Sequence, residues 1–217
     1  MAEQVLSLNV GQPTQVPYRG EMISTGIFKY PVEGRLLLTR TGFAGDGQAD
    51  PTVHGGEHKA AYIYSAADYA WWLAELGHPL QHGEFGENLT VTGLRDHEVS
   101  VGDILQIGNA RVQVTSPREP CFKLGIRMAD PRFVPRFRAA NRLGFYVRVL
   151  AEGEIGVGDA AEVIERAQAS MTIADFHQVI VGVRKDENVL RRLAAAPTLE
   201  PAWVEWCQRR LAEAHER

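Results

Sequence analysis

At 217 residues, with 45% hydrophobic and 23% charged side chains, the chain is long enough for a packed core without disulfide or metal staples and has a globular composition. A formal net charge of -4 gives no ground for a nucleic-acid polymer as partner, and no apolar run approaches the roughly 20 residues that span a bilayer. Met1 to Ser7 carry neither a basic leader nor a long apolar stretch, so a cytoplasmic location without membrane attachment is expected.

In chain order, β-branched runs at 5–10, 36–39, 88–91, 104–107 and 110–114 predict strands, with Gly108-Asn109 as a tight hairpin turn between the last two. A helix interrupts them. Ser65 with Asp68 three residues later makes a variant capping box, and Tyr69, Trp72, Leu73 and Leu76 recur at helical spacing until Gly77 ends the run. Gly102-Asp103 and Gly158-Asp159 read as turns feeding strands, a weaker helix is expected over 131–140, and further strands over 144–149 and 161–164. Beyond Ala167 the texture changes. Thr172 caps a helix through Asp175 to Gly182, Asp186 starts another that ends before Pro197, and Thr198, Glu200 and Pro201 start a third. The expected architecture is mainly β: a barrel with an inserted helix over residues 1–167, then a small all-α appendage over 168–217. Trp203 and Trp206 on the last short helix suggest a docking or dimerising face, which would give a homodimer, with packing onto the barrel as the plainer alternative.

Two cysteines occur in segments of different character, against a disulfide framework. Cys207 lies one helical turn from Trp203 and one from Leu211, which marks core packing. Cys121 stands in Pro117-Arg118-Glu119-Pro120-Cys121-Phe122-Lys123, where two prolines restrict the backbone and withhold amide donors, so an ordered loop is expected. Arg118 and Lys123 flank a thiol whose anionic form is the one that attacks or binds soft metals. Among apolar neighbours such as Phe122 and Leu124, a buried packing role stands beside that reading. From Arg118 to Arg142, seven basic residues face two acids, a local +5 that leaves -9 for the rest of the chain.

Two glycine-rich segments complete the candidates. In Val53-His54-Gly55-Gly56-Glu57-His58-Lys59-Ala60, the glycine pair allows close backbone approach and its amides can donate to phosphate oxygens, although a polar surface turn reads equally well. His54 and His58 lack a third ligand at zinc spacing. In Gly83-Glu84-Phe85-Gly86-Glu87-Asn88-Leu89, Glu87 or Asn88 can bind a substrate, or the segment is a loop with a solvated acid.

These segments, with Val101-Gly102-Asp103 between them, run in an order that resembles the molybdenum cofactor sulfurase C-terminal (MOSC) family, in its YiiM-like branch, over roughly residues 25 to 165. The resemblance implies a β-barrel with a three-helix tail, and a molybdenum cofactor of the molybdopterin type held by the Cys121 thiolate as metal ligand. It further implies that Arg118, Lys123, Arg127 or Arg132 pairs with the cofactor phosphate and that His54, Gly55, Gly56, Lys59 and Asn88 line the cofactor or substrate cavity, with Glu87 and Asn88 as candidates for catalysis. The implied activity is reduction of small N-hydroxylated compounds such as hydroxylaminopurines to amines. No dinucleotide fingerprint or iron-sulfur cysteine set is present, so the electrons are expected from a separate reductase. The alternatives are a non-catalytic cofactor or sulfur carrier using Cys121, and, more remotely, a thiol hydrolase pairing Cys121 with His54 or His58.

Overall fold

The computed structural model describes residues 3–50, 55–168, 171–183, 187–196 and 198–215. His54 and the Asp186 helix start therefore lie outside the described residues. Strand and helix occupy 32% and 29% of the described residues, a mixed, sheet-rich fold that bears out the mainly-β expectation in part.

The strands are β1 (Val5–Val10), β2 (Thr14–Tyr18), β3 (Glu21–Thr25), β4 (Tyr30–Pro31), β5 (Arg35–Thr39), β6 (Gly42–Phe43), β7 (Ala61–Ser65), β8 (Leu89–Val91), β9 (Ile104–Ile107), β10 (Ala110–Pro117), β11 (Phe145–Ala151), β12 (Gly153–Gly156) and β13 (Ala161–Glu165). The helices are α1 (Ala66–Leu76), α2 (Phe122–Arg127), α3 (Phe133–Ala140), α4 (Ile173–Ile180), α5 (Glu187–Ala194) and α6 (Pro201–His215). Eight strands form the main sheet in the order β13-β9-β10-β11-β7-β8-β1-β4; β12-β5-β6 and the hairpin β2-β3 form separate small sheets. Among the described residues, only β7 and β8 pair in parallel.

The expected barrel is corrected: no closed barrel is found among the described residues. The ladder stops at β4, whose second residue, Pro31, has no N–H to continue it, and an isolated bridge between Gln4 and Ala160 joins the far flanks of the sheet. The capping box on α1 is corrected too. Ser65 Oγ donates to the carbonyl of Gly93 at 2.8 Å and the buried Asp68 carboxylate takes Arg142 Nη1, so neither side chain serves the helix start. The helix ends as its sequence indicates, on Gly77 at φ 75°.

One apolar cluster joins Leu8, Ile63, Leu105, Val114 and Val147 of the sheet to Phe176, Leu193 and Cys207 of α4 to α6. The last three helices thus bury their apolar faces against the sheet. Trp203 and Trp206 are partly buried on that cluster, with Trp203 edge-on to Phe176 at 5.3 Å, so they pack rather than stand free. A second, aromatic cluster of Tyr64, Tyr69, Trp72, Phe85, Phe133 and Phe137 fills the space between α1, α3 and the sheet. Trp72 is fully buried there, stacks on Phe137 at 5.6 Å and donates its indole N–H to Tyr64 Oη at 2.8 Å.

Candidate functional site

Strand β10 runs three residues past its expected end, to Pro117, and delivers Arg118 to the sheet end. Cys121 is the residue preceding α2, in extended conformation, and its carbonyl accepts from Leu124 N–H at 3.0 Å. The expected ordered loop is therefore shorter than its prolines indicate. A short helix begins directly after the thiol, leaving Phe122 outward and 44% exposed while Leu124 is buried. Arg138 of α3 braces the loop from behind, donating to Glu119 Oε1 through Nε at 2.6 Å and to the carbonyl of Pro120 through Nη2 at 3.2 Å.

A cleft of about 90 Å³ opens in front of this loop, lined by Cys121, Arg118, Glu119 and Lys123 together with Lys29, Asp46, Lys59, Tyr62, Asn88 and Tyr146. Its far wall is the close approach of two loops. A Cβ on Gly26 would stand 2.6 Å from the carbonyl oxygen of Gly47, so the residue type is dictated there. Of the residues singled out in the sequence, Cys121, Arg118, Lys123, Lys59 and Asn88 are brought together in the cleft.

Asn88 is wholly engaged in building the wall. Its Oδ1 accepts from Tyr62 N–H at 3.1 Å, and its Nδ2 donates to Asp46 Oδ2 at 2.9 Å and to the Asn9 carbonyl at 3.3 Å. Asp46 in turn accepts from Gly11 N–H at 2.9 Å and is ion-paired to Lys29, both side chains being under 10% exposed. Burial pulls the Lys29 ammonium below its ordinary value, against the opposing pull of Asp46.

The other candidates stand elsewhere. Glu87 is fully buried behind the cleft rather than lining it. Its carboxylate accepts from Tyr69 Oη at 2.5 Å, Gly83 N–H at 2.8 Å, Thr90 Oγ1 at 2.8 Å and Phe85 N–H at 3.2 Å, which shapes the turn carrying Phe85 and Gly86. Burial raises its pKa, with those donors opposing. Arg127 pairs with Glu84 at 3.1 Å and lies over the rings of Phe28 and Tyr30; Arg132 pairs with Asp130 and is 90% exposed. Neither lines the cleft. Gly56, at φ 84°, precedes the 3-10 turn Glu57–Lys59, while a Cβ on Gly55 would strike Gln48 Oε1. Gly55 thus makes room for a protein side chain.

Sequence reasoning missed Lys29, Asp46, Tyr62 and Tyr146. Asp46 and Tyr62 stand near the two ends of the glycine- and histidine-rich stretch 45–62 but carry no role there by sequence, and the buried pair Lys29–Asp46 spans 17 positions. Burial raises the Tyr62 and Tyr146 phenols above their ordinary values while Arg118 pulls both down, so both phenols stay protonated at neutral pH.

The electrostatics single out two groups. Lys29 is matched by Asp46 and Lys59 by Glu200, which leaves Arg118 and Lys123 as the cleft cations without a carboxylate partner among the described residues. Arg118 is 5% exposed, 5.7 Å from the ring centroids of both Tyr62 and Phe137, and its Nη1 is buried with no hydrogen-bond partner among the described residues. A buried guanidinium with an idle N–H is costly unless an anion completes it. Two cations without a carboxylate partner among the described residues line the same cleft as a partly exposed thiol, which fits a ligand that offers both a soft metal and an anionic group.

That combination is the province of MOSC domains, which are molybdenum-cofactor-binding in type. The MOSC domain family model matches residues 50–162, and the chain belongs to this family. It is similar to the uncharacterized protein YflK of Bacillus subtilis (strain 168), with 37% identity over 92% of this chain and 90% of that protein. Protein YiiM of Escherichia coli (strain K12) is 30% identical over 86% and 84% of the two chains. A protein named "Reductase" from Gibberella moniliformis is 32% identical over 89% of this chain, which spans only 35% of that longer relative. The crystal structure of YiiM from Geobacillus stearothermophilus superposes with a TM-score of 0.82 at 32% identity, covering 96% of this chain and 99% of that one. Among the described residues, no helix is long and apolar enough to cross a membrane.

Proposed function

We propose that this protein is a molybdenum-cofactor oxidoreductase that reduces small N-hydroxylated compounds, hydroxylaminopurines among them, to the corresponding amines. The observation that carries this reading is the location of Cys121 in one cleft with Arg118 and Lys123, the two cations lacking carboxylate partners. The relative named "Reductase" supports the redox class.

In this reading the Cys121 thiolate is the protein's ligand to the metal, and Arg118 with Lys123 holds the phosphate of the pterin. The cofactor, when bound, supplies the two-electron redox chemistry. Lys29 and Lys59, each held by a carboxylate, present N–H donors to a polar substrate, and the protonated phenol of Tyr146 is a further donor. The balance is R–NH–OH plus two electrons and two protons giving R–NH₂ and water. A separate reductase brings the electrons.

The test offers 6-hydroxylaminopurine and an artificial low-potential donor to the protein isolated with its cofactor. Adenine formation that disappears when the host is starved of molybdenum is expected. Bound molybdenum without amine product overturns the reductase reading in favour of a cofactor carrier.

A further inference from the structure

The start of α6 reaches back to the cleft. Glu200 is 141 residues from Lys59 in sequence, yet its Oε1 accepts from Lys59 Nζ at 3.0 Å, with both side chains under 20% exposed. Its backbone is fixed, because its carbonyl accepts from Trp203 N–H at 2.9 Å and Val204 N–H at 3.2 Å, and Cys207, further along α6, is fully buried. Lys59 is placed as firmly, at the end of the 3-10 turn and 6.0 Å from the ring centroid of Tyr146. Both Lys59 and Tyr146 line the cleft beside Cys121 and Arg118. The second oxygen of Glu200, Oε2, is buried without a hydrogen-bond partner among the described residues. A half-satisfied carboxylate at this depth is poor stability engineering, and helix α6 needs only the backbone carbonyl of Glu200 to begin. The charge itself therefore calls for a purpose.

We propose that Glu200 is a positioning residue of the cleft: the C-terminal helical segment supplies a carboxylate that holds Lys59 on the Tyr146 wall and withdraws its charge from the anion position beside Cys121. An anionic group entering the cleft then finds Arg118 and Lys123 as its partners, and Lys59 remains a fixed donor. The segment after β13 is on this account part of the site. The inference rests on the reading that the cleft takes an anion, and not on the reaction.

The probe is inorganic phosphate, titrated calorimetrically at low ionic strength into protein purified without molybdenum cofactor. Glu200→Gln keeps a hydrogen-bond acceptor and removes the charge; it is expected to tighten phosphate binding about three- to tenfold, the scale of one unscreened charge a few ångströms away in a partly buried site. In the double variant Lys59→Met with Glu200→Gln, affinity returns to within about twofold of wild type, because the gain runs through Lys59. A purely structural Glu200 would lower the Tm and leave phosphate affinity unchanged. Affinity of Glu200→Gln within about twofold of wild type, or a gain that persists in the double variant, overturns the proposal. Should Glu200→Gln not fold, the exchanged pair Lys59→Glu with Glu200→Lys keeps the ion pair and puts the carboxylate on the cleft wall. Weaker phosphate binding is then expected, and unchanged binding overturns the proposal. Arg118→Met separates the two levels. Loss of phosphate in that variant alongside an indifferent Glu200→Gln sinks the role of Glu200 alone, whereas no phosphate binding by wild type or Glu200→Gln sinks the anion reading with it.

Discussion

Replacing Glu87 by glutamine tests whether the carboxylate behind the cleft organises it. Oε1 accepts three donors, from Tyr69, Gly83 and Thr90, and Oε2 accepts Phe85 N–H, all in a fully buried site. Glutamine retains one acceptor oxygen. With that oxygen in the Oε1 position, its amide nitrogen meets the Phe85 N–H donor to donor. An unsatisfied buried donor costs about 1–3 kcal/mol, and for a chain of this size each kcal/mol lowers Tm by about 2–4 °C. A central cost of about 2 kcal/mol therefore predicts a loss of about 4–8 °C. Glu87→Ala strands all four donors and is expected to cost at least about 4 kcal/mol. Differential scanning calorimetry of cofactor-free protein, checked by urea unfolding, gives both numbers. A Glu87→Gln Tm within about 1 °C of wild type would refute the reasoning, because the turn bearing Phe85 and Gly86 would not depend on an anionic acceptor.

Burial pushes the Asp96 carboxyl up to about 7, in spite of donors from Leu143 and Gly144 N–H. A folded pKa above the unfolded one means that stability from this group is complete below about pH 4 and is lost as pH rises towards 7, at most about 4 kcal/mol in all. Asp96→Asn, which mimics the protonated acid, should flatten the stability profile over that window; an unaltered slope would contradict the assignment. Arg118→Met in cofactor-free protein removes a buried, incompletely bonded cation, so Tm should hold or rise even as phosphate binding is lost. A destabilisation above about 1 kcal/mol would show that stacking on Tyr62 and Phe137 outweighs desolvation. Burial raises the Cys207 thiol to about 11, and Cys121 is partly exposed, so a thiol reagent should label the native protein once, at Cys121, by peptide mapping. Rapid labelling of Cys207 would contradict the packing of α6.

Parts of the candidate cleft and of the fold were readable because they are local. The thiol with its flanking cations, the glycine-rich turns before β8 and β10, and the Thr172 cap, whose Oγ1 accepts from Asp175 N–H at 3.1 Å, all lie within a few residues of one another. What escaped was set by long-range burial. Strand β7 is buried at every position, so Ala61-Tyr62-Ile63-Tyr64-Ser65 shows no alternation to mark it, although it is central to the sheet and carries Tyr62. Strand β2 contains Pro17, which demotes a strand reading, and is permitted because its hairpin pairs with no other sheet. Glu87 looked available for proton transfer because sequence counts donors only along the chain, whereas Tyr69 and Thr90 reach its carboxylate in space. The engagement of Lys59 by Glu200 was likewise invisible, with most of the chain between them.

The central claim is that Cys121 holds molybdenum in the cleft that Arg118 and Lys123 also line. It is tested most directly by measuring molybdenum per chain, by inductively coupled plasma mass spectrometry, in wild type, Cys121→Ala and Cys207→Ala purified side by side from a cofactor-producing host. The account predicts near-stoichiometric metal in wild type and Cys207→Ala and a loss of at least about tenfold in Cys121→Ala, as expected when a thiolate ligand is removed. Equal molybdenum in wild type and Cys121→Ala, with both folded, would contradict it.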